Sequence, residues 1–470
     1  MPHCLGTKPK ISNTRLVPSA SEDCLFIDLY GPANTTGASK LPVYFFIQGG
    51  GFNGQGSSFN ASALIEASGM NMLVVQLTYR VGPYGFLASK EIVAGGSLNN
   101  GLKDQRKALH WVQDHIAKFG GDPARVTMGG ASAGAASVTL QVAAYGGRDD
   151  KLFRQTAAES QSFGAIRTVA ESQYQYDALV KRTKCAKSQT GSSDTLACLR
   201  KLDINVLQHQ NINTPFPGQD RKPLFPYNPT LDHDFLTDVT IALYDQGKFV
   251  NVPAIYGNPS DEGTIFVPRT TDTKQLSNQF LTANFPKLSP EMLDTIQKLY
   301  TPEKFRVKPE WKAGPYWRST SCAYGDLRYV CPGFRLSDQY AKHFPGTKVW
   351  NYHYNVGDPA SIANGIGVPH VAETSAIWAL AGAPKSYRVG GINHDAIRVM
   401  QGYWSSFIRF GDPNVARAAG TPLWEEWGGP TVQKRLRIND GGKGVMESNG
   451  PELKDRCQAL GRWGIDIAQR

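Results

Sequence analysis

The sequence predicts an α/β protein, with a mostly parallel central sheet flanked by helices and a large helical excursion beside it. Three observations carry this. Short, continuous apolar runs such as LPVYFFIQ at 41–48 have the length and composition of strands buried on both faces. Such runs alternate with segments of helical period almost throughout the 470 residues, as crossover connections require. Finally, the strand-like run at 125–130 turns directly into an apolar helical segment at 132–145. No Ser/Pro-rich or single-charge stretch separates halves and no repeat is visible, so residues 1–470 are expected to form one domain.

In order along the chain, the 41–48 strand feeds into Gly49-Gly50-Gly51-Phe52. Without side chains, the backbone at Gly50 and Gly51 can approach a ligand and aim N–H groups at one oxygen. Residues 72–79 read as the next buried strand. Leu102, Leu109, Val112, Ile116 and Phe119 then fall at helical spacing and define one apolar face, expected to be core. After the 125–145 unit come a strand at 155–162, a helix-and-loop excursion at 165–250 expected to shape a pocket, and strands at 252–256 and 348–354.

The turn between 130 and 132 concentrates the chemistry. Gly130 and Gly134 lie two residues either side of Ser132, which lets neighbouring backbone pass close while the hydroxyl is held out above the sheet. The helix begins at that serine, so its unpaired N–H groups favour negative charge developing there. The full stretch FGGDPARVTMGGASAG, at 119–134, resembles the nucleophile signature of the type-B carboxylesterase and lipase family, cholinesterase-like α/β-hydrolases, in a fungal-type form. Met128 and Ala131 are its departures. The resemblance implies an α/β-hydrolase fold, with the Gly50 and Gly51 N–H groups joined by that of Ala133 as an oxyanion hole. YRVGPYGF at 79–86 and WSSFIRFGDPN at 404–414 also match, so the likeness runs from residue 4 past 410.

A serine hydroxyl becomes a useful nucleophile only when a nearby base takes its proton and an acid orients that base. GNPSDEGT at 257–264 resembles the family's acid loop, which implies Glu262, with Asp261 as rival. GIGVPHVAE at 365–373 resembles its histidine loop, which implies His370. His394 is the competing histidine, expected instead to begin a helix with Asn393 as N-cap. The implied activity is hydrolysis of carboxylic esters through an acyl-enzyme, with no metal or organic cofactor and a small-molecule ester as partner.

A net charge of +10 raises the question of an anionic partner, but the basic residues are scattered apart from Lys434-Arg435-Leu436-Arg437, so nucleic acid is not expected. No apolar run is long enough to span a bilayer, and residues 1–20 contain no signal-peptide hydrophobic region. The number of cysteines, seven, does not define their pairing. The resemblance implies Cys4–Cys24 and Cys185–Cys198 and leaves Cys322, Cys331 and Cys457 unassigned. With the sequons at Asn34 and Asn60, these bridges point to the secretory pathway. The resemblance implies an N-terminal segment before the Cys4 equivalent that is not seen in this sequence, so the expectation is either a start at an internal methionine of a longer protein or a truncated relative; oligomeric state is left open.

Departures from relatives narrow the substrate. Cholinesterases place a glutamate before the nucleophile, where this chain has Ala131, and the Cys4–Cys24 stretch contains no aromatic residue, so a quaternary ammonium finds no platform there. The same stretch, the lid of related lipases, is short and polar here, which predicts an open pocket. Two other readings fit the fold: acyl transfer, lactone or ring closure by the same triad, and a non-catalytic binding module, against which an intact triad argues.

Overall fold

The computed structural model describes residues 2–7, 20–54, 59–186 and 194–470. Nine strands form one sheet: β1 (Ile27–Tyr30), β2 (Leu41–Ile47), β3 (Leu73–Leu77), β4 (Gly121–Ala131), β5 (Gln155–Glu159), β6 (Ala254–Pro259), β7 (Val349–Asn355), β8 (Lys434–Asn439) and β9 (Lys443–Ser448). Their spatial order is β9-β8-β7-β6-β5-β4-β2-β3-β1. The β8–β9 and β1–β3 pairs at the two edges are antiparallel, and every pair between them is parallel. A parallel sheet is covered on both faces, and β2 shows how the sequence meets that demand. Val43, Phe45 and Ile47 pack into one apolar layer with Val126 and Met128, while Tyr44 and Phe46 point the other way onto Trp378 and Trp404.

Helix α1 (Asn100–His115) covers the first layer with Leu102, Leu109 and Val112, and Ile116 follows in a 3-10 turn. Phe119 departs from the expected face: it is 46% exposed. The tighter 3-10 turn from Ile116 to Phe119 changes the angular period, so Phe119 swings off the stripe to lie tilted against Trp111, 5.9 Å between ring centroids. Helix α2 (Ala133–Val142) is buried along its whole length. Helix α3 (Val169–Arg182) opens the excursion, started by a capping box in which Thr168 Oγ1 accepts from Glu171 N and Glu171 Oε2 accepts from Thr168 N. Just before α3, Arg167–Thr168 pairs in parallel with Thr230–Leu231.

Three further helices are α4 (Cys331–His343), α5 (His394–Phe410) and α6 (Pro451–Gly461). Asn393 precedes α5 but does not cap it through its side chain. Its carboxamide is engaged elsewhere, donating to Gly357 O at 2.9 Å and accepting from Gly441 N at 3.2 Å. Three disulfides are present among the described residues: Cys4–Cys24, Cys185–Cys198 and Cys331–Cys457. The last ties α4 to α6. Cys322 is unbridged, and burial pushes its thiol up to about 12. Residues 8–19, most of the short polar stretch between Cys4 and Cys24, lie outside the described residues.

The basic cluster at 434–437 is occupied. Lys434 pairs with Glu425, Arg435 sits 2.6 Å from Glu447, and Arg437 is 3.6 Å from the same carboxylate. Among the described residues no helix is long and apolar enough to cross a membrane.

Candidate active site

Strand β4 ends at Ala131 and α2 begins at Ala133, leaving Ser132 alone on the turn with φ 59° and ψ −118°. A non-glycine residue in that conformation is strained and persists because the flanking strand and helix impose it. Ser132 N donates to Glu159 O at 2.9 Å, which pins the turn to β5. A side chain at Gly134 would run into the carbonyl of Ile47, so the close pass of α2 behind β2 requires glycine there.

The loop after β2 comes up beside the same turn. A Cβ built on Gly49 would lie 3.1 Å from Ser132 Cβ. Gly51 has φ 63°, and the Phe225 ring occupies the space a side chain would need. The loop is held by Asn53, whose amide donates to Tyr227 O at 2.7 Å and accepts from Tyr227 N at 2.9 Å. Phe225 and Tyr227 belong to the 165–250 excursion, so that segment packs directly on the glycine loop. Ala133, as the first residue of α2, has an N–H without an intrahelical acceptor.

The remaining side chains arrive from the C-terminal ends of the central strands. β6 extends to Pro259, three residues past the predicted end, and delivers Ser260, Asp261 and Glu262. His370 Nε2 is 2.8 Å from Ser132 Oγ, and His370 Nδ1 is hydrogen-bonded to Glu262 Oε2. The other oxygen of Glu262 accepts from Asn258 Nδ2 at 3.2 Å. Both His370 and Glu262 are buried. Asp261 faces away from the histidine. It pairs with Arg318 and accepts from Val368 N at 2.8 Å, while Asp261 N donates to Val368 O at 2.8 Å, which clamps the acid loop to the histidine loop. His394 lies at the start of α5, exposed, with Nδ1 3.0 Å from Tyr387 O, and takes no part in this cluster.

Several neighbours went unread in the sequence. The ring of His370 is flanked by Tyr329 at 4.6 Å and Phe266 at 5.1 Å between centroids. Tyr329 sits in a π-helical turn, Asp326–Val330, between the helix Trp317–Gly325 and α4. The turn itself was invisible to a 3.6-residue period. Glu373, three residues after His370, accepts from Tyr352 OH at 2.6 Å and Ser160 Oγ at 3.0 Å, and Ser160 Oγ in turn accepts from Val371 N at 3.1 Å. The second oxygen of Glu373 is buried without a partner among the described residues. Burial, then the charge of Glu262, push this carboxyl up to about 8.

Glu373 therefore folds as a neutral acid. Its folded value exceeds the unfolded one, so its contribution favours the fold at low pH and is lost as pH rises between the ordinary carboxyl range and about 8. Glu373→Gln is expected to flatten the decline of Tm across that window, measured by thermal unfolding at intervals from acid to mildly alkaline pH. A variant whose decline matched the parent would show that Glu373 is ionised in the fold.

A serine on a strand–helix turn, set in a mostly parallel sheet and reached by a histidine and a glutamate from later strand ends, defines a hydrolase of the α/β-hydrolase fold. The chain belongs to the carboxylesterase family, whose family model matches residues 1–456, and it is a carboxylic ester hydrolase. It is 31% identical over 450 residues to "Secreted lipase 1" of Botryotinia fuckeliana, covering 91% of this chain and 74% of that protein. To "Secreted lipase 4" of Gibberella zeae it is 32% identical over 438 residues, covering 89% and 75%. Its fold is similar to the crystal structure of Aspergillus niger EstA, with TM-score 0.91 and 35% identity over 99% of this chain and 88% of that one.

Proposed function

We propose that the chain cleaves carboxylic esters through an acyl-enzyme on Ser132. The observation that carries this reading is the unbroken hydrogen-bond chain from Ser132 Oγ through His370 to Glu262. An ionised Glu262 can only accept, so His370 carries its proton on Nδ1 and leaves Nε2 free to take the serine proton. Oγ then attacks the ester carbonyl, and Glu262 stabilises the imidazolium that forms. The N–H groups of Gly50, Gly51 and Ala133 receive the oxyanion. Collapse expels the alcohol, which takes the proton from Nε2, and water activated by the same ring releases the acid. Trapping the acyl-enzyme with a slowly deacylating ester tests the reading. The acyl mass is expected on the peptide containing Ser132, and its absence there overturns it.

The substrates in this reading are soluble short- or medium-chain esters. The Cys4–Cys24 stretch is short and polar, so it has little apolar face to bury or expose at an oil–water interface. Rate against concentration of a short-chain triglyceride is expected to saturate in the ordinary way, without a rise where the substrate passes its solubility limit. A sharp rise there means an interface-dependent lipase. Three disulfides and relatives named as secreted lipases support passage through the secretory pathway, with exposed Asn34 and Asn60 as glycan acceptors.

A further inference from the structure

A second serine–histidine–carboxylate chain stands at the edge of the sheet, two residues from Glu262 in sequence. Ser260 leaves the end of β6 exposed, and its Oγ is 2.8 Å from Nε2 of His353 on β7. His353 Nδ1 is 2.8 Å from Glu447 Oε1 on β9. Parallel pairing of β6 with β7, and of β7 with β8, then the β8–β9 hairpin, set four consecutive strands in register, with β8 between β7 and β9: Pro259 faces Tyr354, His353 faces Arg437, and Arg437 faces Val445.

The protonation states follow from the surroundings. Burial alone would raise Glu447, but the hydrogen bond from His353 and the charges of Arg435 and Arg437 outweigh it and hold the carboxyl down to about 2. A carboxylate has no proton to give, so His353 donates through Nδ1–H. Burial and then the Arg435 charge lower His353 below its usual range, against the pull of Glu447, so the ring is neutral near pH 7. Neutral with Nδ1 protonated, it presents a lone pair at Nε2, and the Ser260 hydroxyl lies within hydrogen-bond reach of it. The hydroxyl also lies 2.6 Å from Asn355 Oδ1 and 3.4 Å from Tyr354 O. The hydroxyl has one proton for these acceptors, and the rotamer that points it toward Nε2 is the one competent for proton transfer.

We propose that Ser260, His353 and Glu447 form an acylation site separate from Ser132, in which Ser260 accepts an acyl group from activated esters. Ser260 Oγ attacks the carbonyl carbon of an aryl ester while its proton passes to His353 Nε2, and Glu447 holds the imidazolium. The adduct collapses, the carbon–oxygen bond to the aryl group breaks, and the departing phenolate takes the proton from Nε2. The product is an ester on Ser260, with no change of oxidation state. Ser260 also lines a cavity of about 230 Å³ with Asp261, Glu262, Thr264, Arg318 and Arg456, so the cavity borders the acid of the Ser132 site as well.

The site differs from the Ser132 turn in one respect that sets its chemistry. Both amides at the nucleophile are engaged, Ser260 N with Tyr354 O at 3.1 Å and Asp261 N with Val368 O at 2.8 Å. Neither of these two N–H groups is left to stabilise an oxyanion, which favours good leaving groups and a long-lived acyl-serine.

The test uses the full chain carrying Ser132→Ala, so its outcome is independent of the role assigned to Ser132. With p-nitrophenyl acetate near pH 7.5, one acetyl group is expected on the peptide containing Ser260, by intact mass and peptide mapping. Adding Ser260→Ala removes it. Adding His353→Gln slows acetylation by about 100-fold or more, the usual contribution of a general base, with thermal unfolding confirming that this variant is folded. The rate with His353 present is expected to level off above the histidine range, whereas an unassisted serine would keep rising into alkaline pH. Acetylation of lysines only, or an equal rate on Ser260 with and without His353, or no plateau, overturns the proposal.

Discussion

Ser132→Ala is expected to lower kcat for an unactivated alkyl ester by about 10⁶-fold, the loss seen when a serine nucleophile of this kind is removed. An alkyl ester is the right probe, because its poor leaving group excludes the slower acylation assigned to Ser260. The fold is expected to survive. Alanine occupies the same strained position at φ 59° that serine does, and the Ser132 backbone keeps its bond to Glu159 O. Steady-state kinetics with parallel thermal unfolding checks both halves. Activity above about one per cent of the parent enzyme would place the nucleophile elsewhere.

His370→Ala carries the second large effect. Removing the base leaves Ser132 Oγ without a proton acceptor, so a loss of about 10⁶-fold in kcat is expected, and adding Ser132→Ala to it costs little more because the two act as a unit. Glu262→Gln keeps the shape of the contact but exchanges an acceptor-only carboxylate for an amide, which permits the wrong tautomer of His370; about 10⁴-fold is expected. His394→Ala is expected to change kcat by less than about twofold, because His394 is exposed at the start of α5 with its ring Nδ1 against Tyr387 O, away from Ser132. A reversed ranking of the two histidine variants would overturn the assignment of the 365–373 loop.

The clamp made by Asp261 explains why that residue was a plausible rival for Glu262. Adjacent residues on an irregular loop point in different directions, and only the packing of the loop decides which carboxylate faces the histidine. Here Asp261 faces Arg318 and the backbone of Val368, while Glu262 faces His370. The Cys331–Cys457 bridge is a similar case. A separation of 126 residues leaves no local signal, and the pairing becomes visible only when α4 and α6 lie together.

By itself the sequence determined the features whose cause is local. A strand buried on both faces must be apolar at every position, so β2 and β3 were legible as runs, with ends shifted by a residue or two. The turn at Ser132 was legible because the strand, the two glycines and the helix that impose it are contiguous in sequence, and the acid and histidine loops were read by resemblance. What the tertiary structure alone decided are the contacts between distant segments: Tyr329 and Phe266 against His370, Phe225 on the glycine loop, Glu373 beneath Tyr352, and the Ser260–His353–Glu447 chain. Periodicity encodes which face of an element is buried, but not what it meets. In a sheet whose parallel neighbours are joined by crossovers of tens of residues, the partner of each side chain is set by strand order and register, quantities that exist only once the chain has closed upon itself.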